Sequence, residues 1–282
     1  MKILNTYILY LLIILSATSC DNEAPIKESQ LDTETPDLSP LDIWIRENYI
    51  RPYNIEVLYK WEDGEVDRGR YLYPPTENNV QPLMEIVLDI WINSYNELGG
   101  DEFVKVMAPR QVVLVGGHNV NPSGTRTLGL AESGMKITLF EVDELDLQDK
   151  EKTRRFFKTI QHEYCHILNQ TKPYTPEYGK ITPGGYDGSW HLFTVEEARE
   201  QGFITNYAKS NDFEDFAEMT SIMLTYSNDE YEAILNSIQS DEGRAAIRAK
   251  EDIVATYFSK EWGINIYNLQ DLTFQKLIEL TN

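Results

Sequence analysis

His162-Glu163-Tyr164-Cys165-His166 lies inside a stretch with helical patterning, and no other segment limits the fold so tightly. Residues four apart on an α-helix share one face, so both imidazoles project to the same side. Two His at this spacing reach one Zn²⁺ at about 2.0–2.1 Å, with the intervening Glu beside the metal's water. A catalytic zinc takes three protein ligands and keeps its fourth position open, so a third ligand must come from further down the chain. The alternative is an amphipathic helix that happens to carry two His on its polar stripe.

The N-terminus has its own pattern. Lys2 precedes an apolar run from Tyr7 to Leu15, too short to span a bilayer but suited to the core of a signal peptide over residues 1–19. Ser16-Ala17-Thr18-Ser19-Cys20 resembles the lipobox of bacterial lipoproteins, which implies lipid on Cys20 and a membrane anchor. Ordinary secretory cleavage is the alternative. Residues 20–40 read as a flexible tether, because Asp21 to Ser39 holds six acidic residues against one Lys and little apolar content. Similar acidic stretches follow the lipidated Cys in surface lipoproteins of Bacteroidetes-type bacteria. Residues 41–282 are left as one domain, large enough to bury a core without covalent staples. With Cys20 lipidated, Cys165 has no disulfide partner. A net charge of −21 excludes nucleic acid as a partner.

Within the domain, Leu41–Ile50 reads as a helix, Asn54–Trp61 as a strand, and Val80–Leu98 as a long helix closed by Gly99-Gly100. Arg110–Gly116 is a β-branched run consistent with a buried strand, and Met135–Val142 alternates like a strand with one wet face. The HExxH helix covers about Lys150 to Gln170. Helical patterning then dominates over Val195–Gln201, Phe213–Tyr226, Asp229–Gln239, Asp241–Trp262 and Leu269–Leu280. Strands first and helices last describe an α+β domain.

Downstream, a metzincin would place Gly at 169 and His at 172, where this chain has Asn169 and Lys172. The segment Thr205 to Glu218 offers Tyr207, then Glu214, then Glu218. Here the chain resembles the anthrax lethal-factor type of gluzincin peptidase, which pairs HExxH with a Tyr-x6-Glu-x-Phe-Ala-Glu segment. It is also similar to the zinc metallopeptidase lipoproteins of gut Bacteroidetes associated with outer-membrane substrate import. The resemblance spans Phe156 to Leu224, and residues 41–135 match by architecture only. It implies a zincin-like fold and one Zn²⁺ per chain, held by His162, His166 and Glu214. It further implies Glu218 behind a ligand His, Tyr207 donating to the oxyanion, and Glu163 as general base. Asp215 remains an alternative ligand, as does His191, and Asn211 with Glu214 could instead form a capping box. If Glu214 is the ligand, Asp215 is rotated by about 100° and its loss is expected to be silent.

Cys165 is expected in the core, Gln170 at the helix end, and His118 and His191 in loops. The Met135–Val142 strand is placed to offer an edge to an extended peptide, and Tyr174, Tyr178, Tyr186 and Trp190 could wall the cleft. The leading reading is a zinc metallopeptidase on an outer-membrane lipoprotein, facing the surface or the periplasm, with a peptide or protein substrate and importer components as partners. The rival is an accessory lipoprotein that binds substrate with little or no turnover.

Overall fold

Ser39 caps the first helix of the domain, α1 (Pro40–Ile45), through a reciprocal pair with Asp42, and Pro40 occupies the first turn where its missing N–H costs nothing. The computed structural model describes residues 37–281, and Ser39–Asn282 forms a compact unit. The signal segment, Cys20 and nearly all of the tether lie outside the described residues. Helical winding continues from α1 to Tyr53, and strand β1 (Glu56–Leu58) follows, shorter than the run from Asn54 to Trp61. Helix α2 (Glu77–Ile86) winds on to Gly99 and stops at Gly100, whose φ of 95° suits only glycine. A short α3 (Phe103–Met107) leads to β2 (Gln111–Leu114), where Val112, Val113 and Leu114 are all buried.

Next come β3 (Asn119–Val120), β4 (Arg126–Thr127), β5 (Gly129–Glu132) and β6 (Lys136–Leu139). The main sheet has the order β1-β2-β6-β5, with β1, β2 and β6 parallel and β5 antiparallel to β6. This corrects one expectation. The strand within Met135–Val142 is internal, paired on both sides; the edges of the sheet are β1 and β5, and β5 is the one packed beside the HExxH helix. Gly, Leu, Ala and Glu carry little β preference, so β5 left no pattern to read.

Helix α4 (Lys150–Thr171) is capped by Asp149 and crosses the sheet as the central element. Its back face wedges Tyr164 edge-on between Trp91 and Tyr95, at centroid distances of 4.9 Å to each. Tyr95 Oη donates to Gln161 Oε1 at 3.0 Å, so the buried hydroxyl has a partner. Cys165 is fully buried and burial pushes its thiol up to about 12, as suits a core residue.

The remaining helices are α5 (Val195–Glu200), α6 (Asp212–Thr225), α7 (Asn228–Ser237), α8 (Asp241–Tyr257) and α9 (Ile266–Thr281). α6 packs along α4 and is itself held by α8 and α9. Thr273 of α9 donates to Leu224 O, and Lys250 of α8 reaches Asp215 at 2.6 Å with both side chains essentially inaccessible. Lys250 also donates to Gly202 O, and Tyr186 Oη donates to Asp215 Oδ2 at 3.0 Å. Burial pushes Asp215 up to about 6 even beside Lys250, and burial likewise lowers Lys250. Among the described residues no helix is long and apolar enough to cross a membrane.

Asp215 therefore points away from the cleft, as its rotation on the helix requires, but its loss would strand a buried ammonium. Asp215→Ala should lower unfolding free energy by about 3–5 kcal/mol, and adding Lys250→Met should recover most of the loss. Chemical denaturation of both variants checks this, and an unchanged midpoint for Asp215→Ala would refute it.

Candidate metal centre

Asn211 caps α6, its side chain accepting from the N–H groups of Phe213 and Glu214 at 3.0 Å each. Glu214 does not close a capping box in return. Its carboxylate crosses to α4, with Oε2 3.0 Å from His162 Nε2 and 3.3 Å from His166 Nε2. The two imidazole nitrogens are 3.1 Å apart. Ligands about 2.05 Å from a tetrahedral ion stand about 3.3 Å from one another, so these spacings suit a zinc-sized ion. The donor chemistry suits it as well. Burial opposes a charged His162, yet Glu214 and Glu218 push it up to about 10, and burial of Glu214 is outweighed by the two His, which hold it at about 2. The carboxylates thus favour positive charge among the rings, whether proton or metal.

Glu218 lies one turn further along the same face of α6. Its Oε1 is 3.0 Å from His162 Nδ1, an ion-pair contact that approaches off the line of a good hydrogen bond. The same oxygen takes Lys158 Nζ, and Thr205 Oγ donates to the other. Burial would raise this carboxyl, but Lys158 and His162 hold it well below the usual range. A carboxylate so placed fixes which His162 nitrogen faces Glu214. Neither Lys158 nor Thr205 belongs to a sequence motif, although Lys158 precedes His162 by one turn on the same stripe.

Tyr207 stands across the centre on a short turn, its ring stacked on His162 at 5.9 Å and met edge-on by Trp190 at 4.8 Å. Burial raises its hydroxyl first, and the Glu214, Glu163 and Glu218 carboxylates add to that, so it stays a protonated donor. Glu163 is buried and its carboxyl is pushed up by burial, with His162 and His166 opposing. It sits against β5. A Cβ on Gly129 would come 2.7 Å from Glu163 Oε1 and 2.6 Å from Thr159 Cγ2, so only glycine leaves room there.

Two arms of a cleft meet at these residues, sharing Thr127, Gly129, His162, Glu163 and Tyr207. One arm, roughly 780 Å³, continues past His166 to Leu130, Gln170, Pro173, Tyr174 and Phe213. The other, roughly 370 Å³, runs past Arg126, Lys158, Trp190 and Asn206. Of the four aromatics expected to wall the cleft, Tyr174 and Trp190 do. Tyr178 is wholly buried and Tyr186 is spent on Asp215. His191 is not among the converging donors, and His118 pairs with Glu144 away from them.

A family model described as "Putative zinc-binding metallo-peptidase" matches residues 34–267. A solved structure described as "a putative zinc-binding metallo-peptidase from Bacteroides caccae ATCC 43185" is 33% identical. That match covers 87% of this chain and 96% of the other, with a TM-score of 0.71. No curated protein matches.

From the geometry, Glu214→Ala should abolish zinc binding, and Glu218→Ala should weaken it by about 10–100-fold. Metal content after dialysis against graded chelator reads both. Stoichiometric zinc in Glu214→Ala would show that the third donor lies elsewhere.

Proposed function

The chain belongs to the putative zinc-binding metallo-peptidase family, and from that premise we propose a zinc-dependent peptidase of gluzincin type that uses one Zn²⁺ per chain. His162, His166 and Glu214 are the ligands and Glu218 orients His162. The observation that carries this is the convergence of two imidazoles and one carboxylate from α4 and α6 at 3.0–3.3 Å, with Glu163 beside them. Zinc bound there would polarise a carbonyl and bring the pKa of a water near about 7.

The protein's own groups supply the rest. Leu128 C=O accepts from Phe140 N–H at 3.0 Å, so alternation along β5 turns the backbone groups of Gly129 and Ala131 outward to the cleft. The N–H and C=O of Gly129 and the C=O of Ala131 can pair with an extended peptide and lay its scissile carbonyl over the donors. Glu163, held next to Gly129 and supported by the Ala131 N–H, takes the proton from water and passes it to the leaving amine. Tyr207 donates its O–H to the oxygen on which charge develops.

Glu163→Gln should keep its zinc and lose about 10²–10⁴-fold in turnover of a peptide library. Tyr207→Phe should lose about 10²–10³-fold in kcat with KM little changed. Zinc in the wild type without Glu163-dependent cleavage would support the accessory binding protein instead.

Placement follows from residues 1–40. Cys20, lipidated after removal of residues 1–19, anchors the domain at the outer membrane through the acidic tether, within reach of importer components. Cys20→Ala should move the protein from the membrane to the soluble fraction, because it removes the acyl chains that would hold the domain at the bilayer. Mass spectrometry of wild type lacking lipid on Cys20 would refute this.

A further inference from the structure

The two arms of the cleft differ in chemistry, and the difference has a direction. Beyond the candidate ligands, the arm past His166 presents Leu130, Pro173, Tyr174, Pro176 and Phe213, a mostly apolar and aromatic lining in which Asp212 accepts from Tyr174. The opposite arm presents the cationic side chains of Arg126 and Lys158 among the neutral polar groups of Asn121, Thr205 and Asn206, and its lining acids are Glu163, at the centre, and Glu218, which Lys158 contacts.

Both cations are held from behind. Arg126 NH1 is 3.2 Å from Glu141, whose side chain is 1% exposed, while Arg126 itself is 39% exposed. Lys158 contacts Glu218, 3% exposed, while Lys158 is 29% exposed. The two anions are thus buried, while both cations keep partial exposure and line the arm. Glu141 is fixed in turn by Arg155 at 3.0 Å, and His118 Nε2 lies 3.2 Å from Arg126 NH1. A guanidinium carries five donors and an ammonium three, so neither head is exhausted by these contacts.

Strand direction sets which end of a substrate meets them. The cationic arm borders Thr125 to Gly129, and the apolar arm borders Gly129 to Ala131. A peptide added antiparallel to β5, the pairing with the straighter hydrogen bonds, runs against that order. Its N-terminal part then lies in the apolar arm and its C-terminal part in the cationic one.

Resting on the peptidase reading, we propose that the Arg126–Lys158 arm binds a substrate carboxylate on the C-terminal side of the scissile bond. The carboxylate is either the free C-terminus or an Asp or Glu side chain, and Arg126 is the main determinant of the preference. Arg126 suits a test because Lys158 is tied to Glu218 and through it to the candidate metal centre, whereas Arg126 is not.

The test uses the zinc-loaded full-length chain in detergent, carrying Glu163→Gln to stop turnover, and fluorescence anisotropy of labelled Ala-Phe-Ala-Ala peptides. One comparison sets the C-terminal acid against the amide; a second sets Glu against Gln as the last residue of an amidated peptide; a third moves the acidic residue to the first position. Carboxylates at the C-terminal end should bind about 10–100-fold tighter than their neutral counterparts, the range for hydrogen bonds to a charged group. Which of the first two comparisons shows the gain identifies the source of the carboxylate. Arg126→Gln should remove most of the gain with zinc content unchanged, and Arg126→Lys should keep part of it. Equal binding of acid and neutral peptides, a preference for acid at the first position, or an unchanged ratio in folded Arg126→Gln would each overturn the proposal. Failure of the peptidase reading shows separately, as wild type that cleaves no peptide. If the acid preference persists there, the carboxylate arm stands on a binding protein.

Discussion

Three candidate ligand atoms from two helices are held within 3.3 Å of one another, and much of the domain serves to keep them there. Lone pairs at that distance repel unless positive charge sits among them, so local preference alone would let the side chains swing apart. The restraint comes from both helices. α4 is pinned from behind by Tyr164 between Trp91 and Tyr95, and α6 by its Asn211 cap, the Asp215–Lys250 pair and the contacts from α9. The Lys158–Glu218–His162 chain then joins the two helices directly beside the donors.

The cleft obeys a second restraint, a close approach of backbone to side chain. β5 runs so near α4 that Gly129 has no room for a Cβ, and that closeness sets Glu163 against an open sheet edge. An extended chain pairing with that edge would lie within reach of Glu163 and the candidate donors together. The arms on either side draw their lining from segments far apart in sequence, from Asn121 to Glu218, so the cations Arg126 and Lys158 fall in one arm and Pro173, Tyr174 and Phe213 in the other.

Asp215 and Glu214 show how neighbouring acids at one helix start are put to opposite uses. Glu214 faces α4 and tolerates exposure because its partners are two imidazoles at the cleft. Asp215, one residue on, is driven into the core and matched with an equally buried Lys250. Replacing such a pair by apolar groups need not destabilise, whereas removing one member must. Nothing in the sequence distinguishes the two acids by type. Only the rotation between successive helical positions does.

The sequence by itself determined the parts that depend on local periodicity. These were the HExxH helix with both His on one face, the helix carrying Glu214 and Glu218 one turn apart, the buried strand Gln111–Leu114, and the α+β order. Helix period and capping chemistry act within a few residues, so they can be read along the chain. Tertiary structure alone decided that β5, and not β6, is the edge beside the HExxH helix, because edge status depends on how many neighbours a strand acquires and not on its own composition. It also decided that Tyr178 and Tyr186 serve the core while Trp190 faces the cleft, and that Lys158 and Arg126 line the same arm. Those outcomes follow from burial and from partners distant in sequence. A charged side chain's exposure is fixed by whichever counter-charge the fold brings behind it.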